Sequence, residues 1–96
     1  MQLRNCSADV NSYPVITVVG DDRTKYTLHD AIVLTSYKSH VAVYSKGKLY
    51  LLPRYNYSCT TWTHLRNFLE DYCDAIKDVI MCEGYIDSTG VMLYRD

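Results

Sequence analysis

The hydrophobic residues along this chain change their spacing at Thr61. Up to Leu52 they come in short aliphatic clusters, and from Trp62 to Ile76 they recur every three or four positions. Clusters bounded by turn residues predict strands, and the later spacing predicts a helix. "VITVV" (15–19) is β-branched at every position and reads as a strand. "GDDRT" follows with the Gly and paired Asp of a turn, and "KYTL" (25–28) returns as the second arm of a hairpin. "AIVLTSY" (31–37) and "HVAVYS" (40–45) predict two further strands around a turn at Lys38 and Ser39. Lys46 and Gly47 form a two-residue hairpin turn, with Gly supplying a positive φ, and "KLYLLP" (48–53) comes back. That turn would pair Tyr44 with Leu49, Val43 with Tyr50, Ala42 with Leu51 and Val41 with Leu52.

Strand side chains alternate between faces, so this hairpin has two faces to account for. One carries Ala42, Tyr44, Leu49 and Leu51; the other carries Val41, Val43, Tyr50 and Leu52. Both are apolar, whereas a sheet open to water shows polar residues on its outer face. One helix can cover one face. The second must meet the terminal segments, a curled sheet or another copy of the chain, which raises a homo-oligomer as an expectation.

Trp62, Leu65, Leu69, Tyr72 and Ile76 form the helical stripe, widened by Phe68 and Cys73, with Arg66, Asn67, Glu70, Asp71 and Asp74 off it. Thr60 or Thr61 is the expected cap. The helix is expected to end near residue 78, before the strand-like "VIMCEGYI", a "DSTG" turn and a last candidate strand at 91–95. The prediction is an α+β domain over 1–96. It has an antiparallel sheet of about five strands (15–19, 25–28, 31–37, 40–45, 48–53, with 91–95 as a further candidate). One main helix, about 61–78, packs on one face, and residues 1–12 form a polar arm.

Composition sharpens this in two places. The chain has ten Tyr against one Phe and one Trp. Tyr suits strands and half-buried interfaces alike. The net charge is -1, but residues 23–66 carry seven Lys/Arg against one acid, and residues 67–96 carry seven acids against two Lys/Arg. A neutral sum therefore conceals a basic middle and an acidic end. The two can neutralise each other on folding, or leave an acidic face that competes for another molecule's basic groove. No apolar run is long enough to span a bilayer, and the amino terminus lacks a signal-peptide core. A cytoplasmic protein with no membrane association is expected, and Cys6, Cys59, Cys73 and Cys82 are expected as reduced thiols. On the same ground "NCS" at Asn5 and "NYS" at Asn56 count as chance glycosylation matches.

Catalytic chemistry is weakly signalled. Cys59 sits where a helix amino terminus would favour its thiolate, and His64 is the candidate base. His64 is five positions on, over Thr60 rather than Cys59. The adjacent Asp21 and Asp22 have no ligand-spaced partner for a cation, and the Cys and His spacings fit no structural zinc module. Phosphate-loop and dinucleotide glycine patterns are missing from the sequence. The expectation is a non-enzyme with no catalytic residue, metal or cofactor, thiol chemistry at Cys59 being the exception to test.

The segment "SYKSHVAVYSKGKLYLLPRYNYSCTTWTHLRNFL" resembles small uncharacterised proteins of phages and plasmids. These carry a Ser-Tyr, an apolar hairpin, and a Tyr-Ser-x-Thr-Thr-x-x-His element before a helix, here Tyr57, Ser58, Thr60, Thr61 and His64. The resemblance implies a mobile-element accessory protein and supplies no known activity; small phage proteins of this size often work by binding and blocking a host machine such as a CRISPR effector. The leading expectation is such an inhibitor, binding a host protein or ribonucleoprotein complex. Glu70, Asp71, Asp74 and Asp78 with Tyr55 and Tyr57 would be its surface. The alternative is a nucleic-acid-binding domain, with cations Lys46, Lys48, Arg54 and Arg66 beside stacking rings of Tyr44 and Tyr50.

Overall fold

A computed structural model describes residues 8–37, 39–53, 55–56 and 58–86, with backbone alone at 85 and 86. Its elements are β1 (Ala8–Gly20), β2 (Lys25–Ser36), β3 (Ser39–Ser45), β4 (Lys48–Leu51), α1 (Cys59–Tyr72) and β5 (Asp78–Ile86). The fold is α+β, as the spacing predicts: five mostly antiparallel strands and one helix. The strands close into a barrel in the order β1-β2-β3-β4-β5. Short turns make the first three pairs antiparallel, whereas β4 and β5 are parallel. A parallel pair needs a long crossover, and α1 provides it.

The hairpin register is the expected one. Ala42, Val43 and Tyr44 pair with Leu51, Tyr50 and Leu49, and the Leu52 N–H donates to the Val41 carbonyl at 2.9 Å. Lys46 and Gly47 take φ of 50° and 83°, both positive as a type I′ turn requires. The curled sheet answers the two-faced hairpin. Val43, Tyr50 and Leu52 point into the barrel with Ile16, Val18, Leu28, Ala31, Val33 and Cys82. Ala42 and Leu49 point outward with Leu34, under Leu65 and Phe68 of α1. Val41 joins the outer cluster, because the β2–β3 register shifts between Leu34 and Thr35. Closure covers the second face without another copy of the chain.

The two expected strands at 25–28 and 31–37 are one strand with a kink. Leu28 and Ala31, three apart, both face the barrel interior; on β1 so do Tyr13 and Ile16. Both strands change phase together, and their pairing keeps register from Tyr13↔Ala31 to Val15↔His29. Pro14 lies at the change on β1, where it has no N–H to offer, and on β2 Asp30 takes φ of 54°. The polar arm also resolves in part, since Ala8 to Ser12 pair with β2. The candidate strand at 91–95 lies outside the described residues.

Two expectations about the helix are corrected. It ends at Tyr72, with the Cys73 N–H donating to the Leu69 carbonyl, rather than near 78. The connection is instead held to the sheet by Lys77 N–H to the Gly47 carbonyl (2.6 Å) and Tyr44 hydroxyl to the Ala75 carbonyl (3.2 Å). The buried face is also rotated. Thr61, His64, Leu65 and Phe68 are buried, Leu69 is half-buried, and Trp62 is 49% exposed. Polar partners on the sheet draw the helix around.

Candidate functional site

Those partners sit at the far end of β2. Ser58 is the helix N-cap, its Oγ accepting from the Thr61 N–H at 3.1 Å. The capping hydroxyl is thus three positions before Thr61, which supplies the capped amide. Ser36 Oγ lies 2.9 Å from His64 Nδ1 and 3.1 Å from Thr61 Oγ1, and Ser58 Oγ donates to Thr61 Oγ1 at 3.3 Å. Tyr37, in the left-handed region at φ 52°, sets its ring 5.9 Å from that of His64. The Ser-Tyr pair and the Ser-x-Thr-Thr-x-x-His element, separate in sequence, therefore meet across the helix–sheet joint.

A serine hydroxyl this close to an imidazole is the geometry of a nucleophile and its base. Here Ser36 and His64 are 2% and 1% exposed, so neither presents an attacking atom to a substrate. Burial lowers the His64 pKa and favours the neutral ring. The cluster is a latch, in which each buried polar group satisfies another. Cys59 is exposed one residue after the cap, while the His64 ring turns inward to Ser36. Burial raises the Cys73 and Cys82 thiols to about 11 and about 12. Among the described residues no group of three or more His, Cys, Asp or Glu could hold a metal ion.

The expected acidic surface is gathered on one stretch. Glu70 and Asp71 lie in the last turn of α1, Asp74 follows it and Asp78 begins β5, all exposed. The Asp78 carboxylate accepts the Val79 N–H at 2.9 Å. Tyr55 is half-buried beside Trp62, ring centres 6.3 Å apart. Tyr57 and Arg54 lie outside the described residues. Two further acids, read in the sequence only as turn residues without a ligand-spaced partner, join this region. Asp21 and Asp22 of the β1–β2 turn reach β5, where the Asp21 N–H donates to the Met81 carbonyl at 3.0 Å. Both carboxylates help raise the Cys82 thiol. Only the β1–β5 pairing brings them there, so nothing local in the sequence signals it.

The basic alternative set is dispersed. Lys46 lies in the β3–β4 turn, Lys48 follows it, and Arg66 stands on the exposed side of α1. Lys48 pairs in register with Asp78. The Tyr44 hydroxyl is engaged by Ala75, and Tyr50 is 4% exposed inside the barrel. Its ring face is therefore closed to a stacking base, which corrects the expectation for that residue.

A family model of unknown function, DUF8033, matches residues 3–87. The chain belongs to this family. No curated protein and no solved structure matches the chain. Among the described residues no helix is long and apolar enough to cross a membrane.

Proposed function

We propose that the protein is a non-enzymatic binding module whose working surface is the acidic stretch from Glu70 to Asp78. The observation that carries this reading is where the acids lie. The carboxyl end of a helix bears a partial negative charge, so acids there are unfavourable and Lys or Arg favourable. α1 has no basic residue in its last turn; it has Glu70 and Asp71, with Asp74 just beyond. Charge arrangements that work against the local fold are expected at functional surfaces. A surface of this sign fits a basic groove, such as one built for nucleic-acid phosphate. An inhibitor carried by a mobile element and directed at a host defence complex is the form that the resemblance to phage and plasmid proteins suggests.

Affinity capture from a lysate of the host, with the wild type and with a Glu70→Gln, Asp71→Asn, Asp74→Asn variant, tests it. The expected result is a partner whose retention falls as salt rises and which the variant fails to hold. Equal capture by both proteins would overturn the reading. Salt-sensitive retention of single- or double-stranded nucleic acid by the purified wild type would favour the basic alternative.

A further inference from the structure

Among the described residues, the outer cover of the barrel does not extend over β5. α1 packs over the outward residues of β2, β3 and β4, namely Leu34, Ala42 and Leu49. On β5 the register places Val79 beside Leu49 and Met81 beside Leu51, and registered neighbours in a sheet share a face. Leu49 is buried and Leu51 half-buried, whereas Val79 and Met81 are 50% and 41% exposed. Ile80 and Cys82, between and after them, face the barrel core. Ile76, in the connection just before β5, is a third exposed large apolar side chain.

This uncovered strip has an acidic rim. Asp74 and Asp78 precede it, Glu83 follows, and Asp21 and Asp22 reach it through the Asp21–Met81 hydrogen bond. The bases nearby are Arg23 in the same turn, Lys48 opposite Asp78, Lys77, and Lys46 beside Gly47, whose carbonyl accepts the Lys77 N–H. Five acids against four bases leave the rim negative by one, with Asp21, Asp22 and Glu83 gathered at its Met81 end. A second copy docking face to face would set two such rims against each other, and like charges across an interface disfavour it. A partner with apolar side chains flanked by Lys or Arg matches both the strip and its rim.

We infer that the outer face of β5, centred on Val79 and Met81, is the seat of a basic amphipathic segment of a partner protein. This rests on the binding-module reading and names the partner's chemistry. An exposed apolar pair accounts for affinity, and the acids select the sign of the partner.

The probe is a synthetic helical peptide of Leu and Lys, with a Lys–Ser peptide of equal charge as control, followed by methyl resonances and by titration. The Leu–Lys peptide is expected to shift the Val79 and Met81 methyls. A Val79→Ser, Met81→Ser variant is expected to bind it at least tenfold more weakly at a temperature well below its Tm, with its circular dichroism unchanged. The Lys–Ser peptide is expected to bind weakly to both proteins. Shifts centred on another surface, or equal affinity in the variant, would overturn the assignment. So would self-association of the free wild type that the double substitution abolishes, since the occupant would then be a second copy. If the double variant still captures the lysate partner while the Glu70/Asp71/Asp74 variant does not, this strip is wrong and the binding-module reading stands.

Discussion

Ser36, Ser58, Thr61 and His64 show how much of this fold hangs on small polar side chains. Removing the Ser58 cap by Ser58→Ala is expected to cost about 1 kcal/mol. Ser36→Ala removes the hydroxyl that His64 Nδ1 bonds in a buried site, and is expected to cost about 1–3 kcal/mol. Urea unfolding with an unchanged slope checks both. His64 and the half-buried His40 each have a pKa lowered by burial from the ordinary 6.5. The unfolded chain therefore takes up their protons first as pH falls. Their contribution to stability is full above about pH 6.5 and is lost as pH drops through the lowered folded values. A stability–pH curve is expected to fall on the acid side of 6.5, and less steeply in His64→Gln. The thiols separate by the same logic of burial. Cys59 is expected to react with a thiol reagent in the native protein, while Cys73 and Cys82 react only on unfolding. Loss of partner capture in a folded Cys59→Ser variant would instead revive thiol chemistry.

At the scale of elements, the helix and the kinked strand are the informative ones. Local pattern exposed the β3–β4 hairpin to its last pair, because a two-residue turn with Gly fixes register by itself. Pattern also found the helix, but placed Trp62 on its buried face. Hydrophobicity alone ranks Trp62 above Thr61 and His64, and cannot know that Ser36 waits on β2 to satisfy those two. The Ser36 contact spans the chain from strand to helix, so no window of sequence contains it. The kink at Asp30 was hidden for a similar reason, its counterpart being Pro14 on another strand. Asp30→Val would raise local strand propensity, yet it puts a β-branched residue at φ 54°. A net loss of about 1–2 kcal/mol is expected, since the left-handed region is that costly for such a residue. In α1, Glu70→Gln with Asp71→Asn is expected to move stability and function in opposite directions. Thermal unfolding should show a gain of about 0.3–1 kcal/mol for each charge removed from the helix end, while partner capture falls. A loss in both would mean that these acids are structural.

Across the whole molecule, closure of the sheet decides which surfaces are free. It takes Tyr50 and Val43 inside, carries the Asp21–Asp22 turn to β5, and leaves Val79 and Met81 exposed on the outer face of β5. The charge asymmetry was legible in sequence as a basic middle and an acidic end. The gathering of those acids around an apolar strip was not, because it depends on a parallel β4–β5 pair and on the β1–β5 contact. Amide hydrogen exchange, with and without the captured partner, reads the working surface most directly. Slowed exchange from Glu70 through Met81, with the Lys46–Gly47 turn unchanged, is the outcome this account requires. Slowing confined to that turn and to Arg66, with residues 70–81 unaffected, would contradict it.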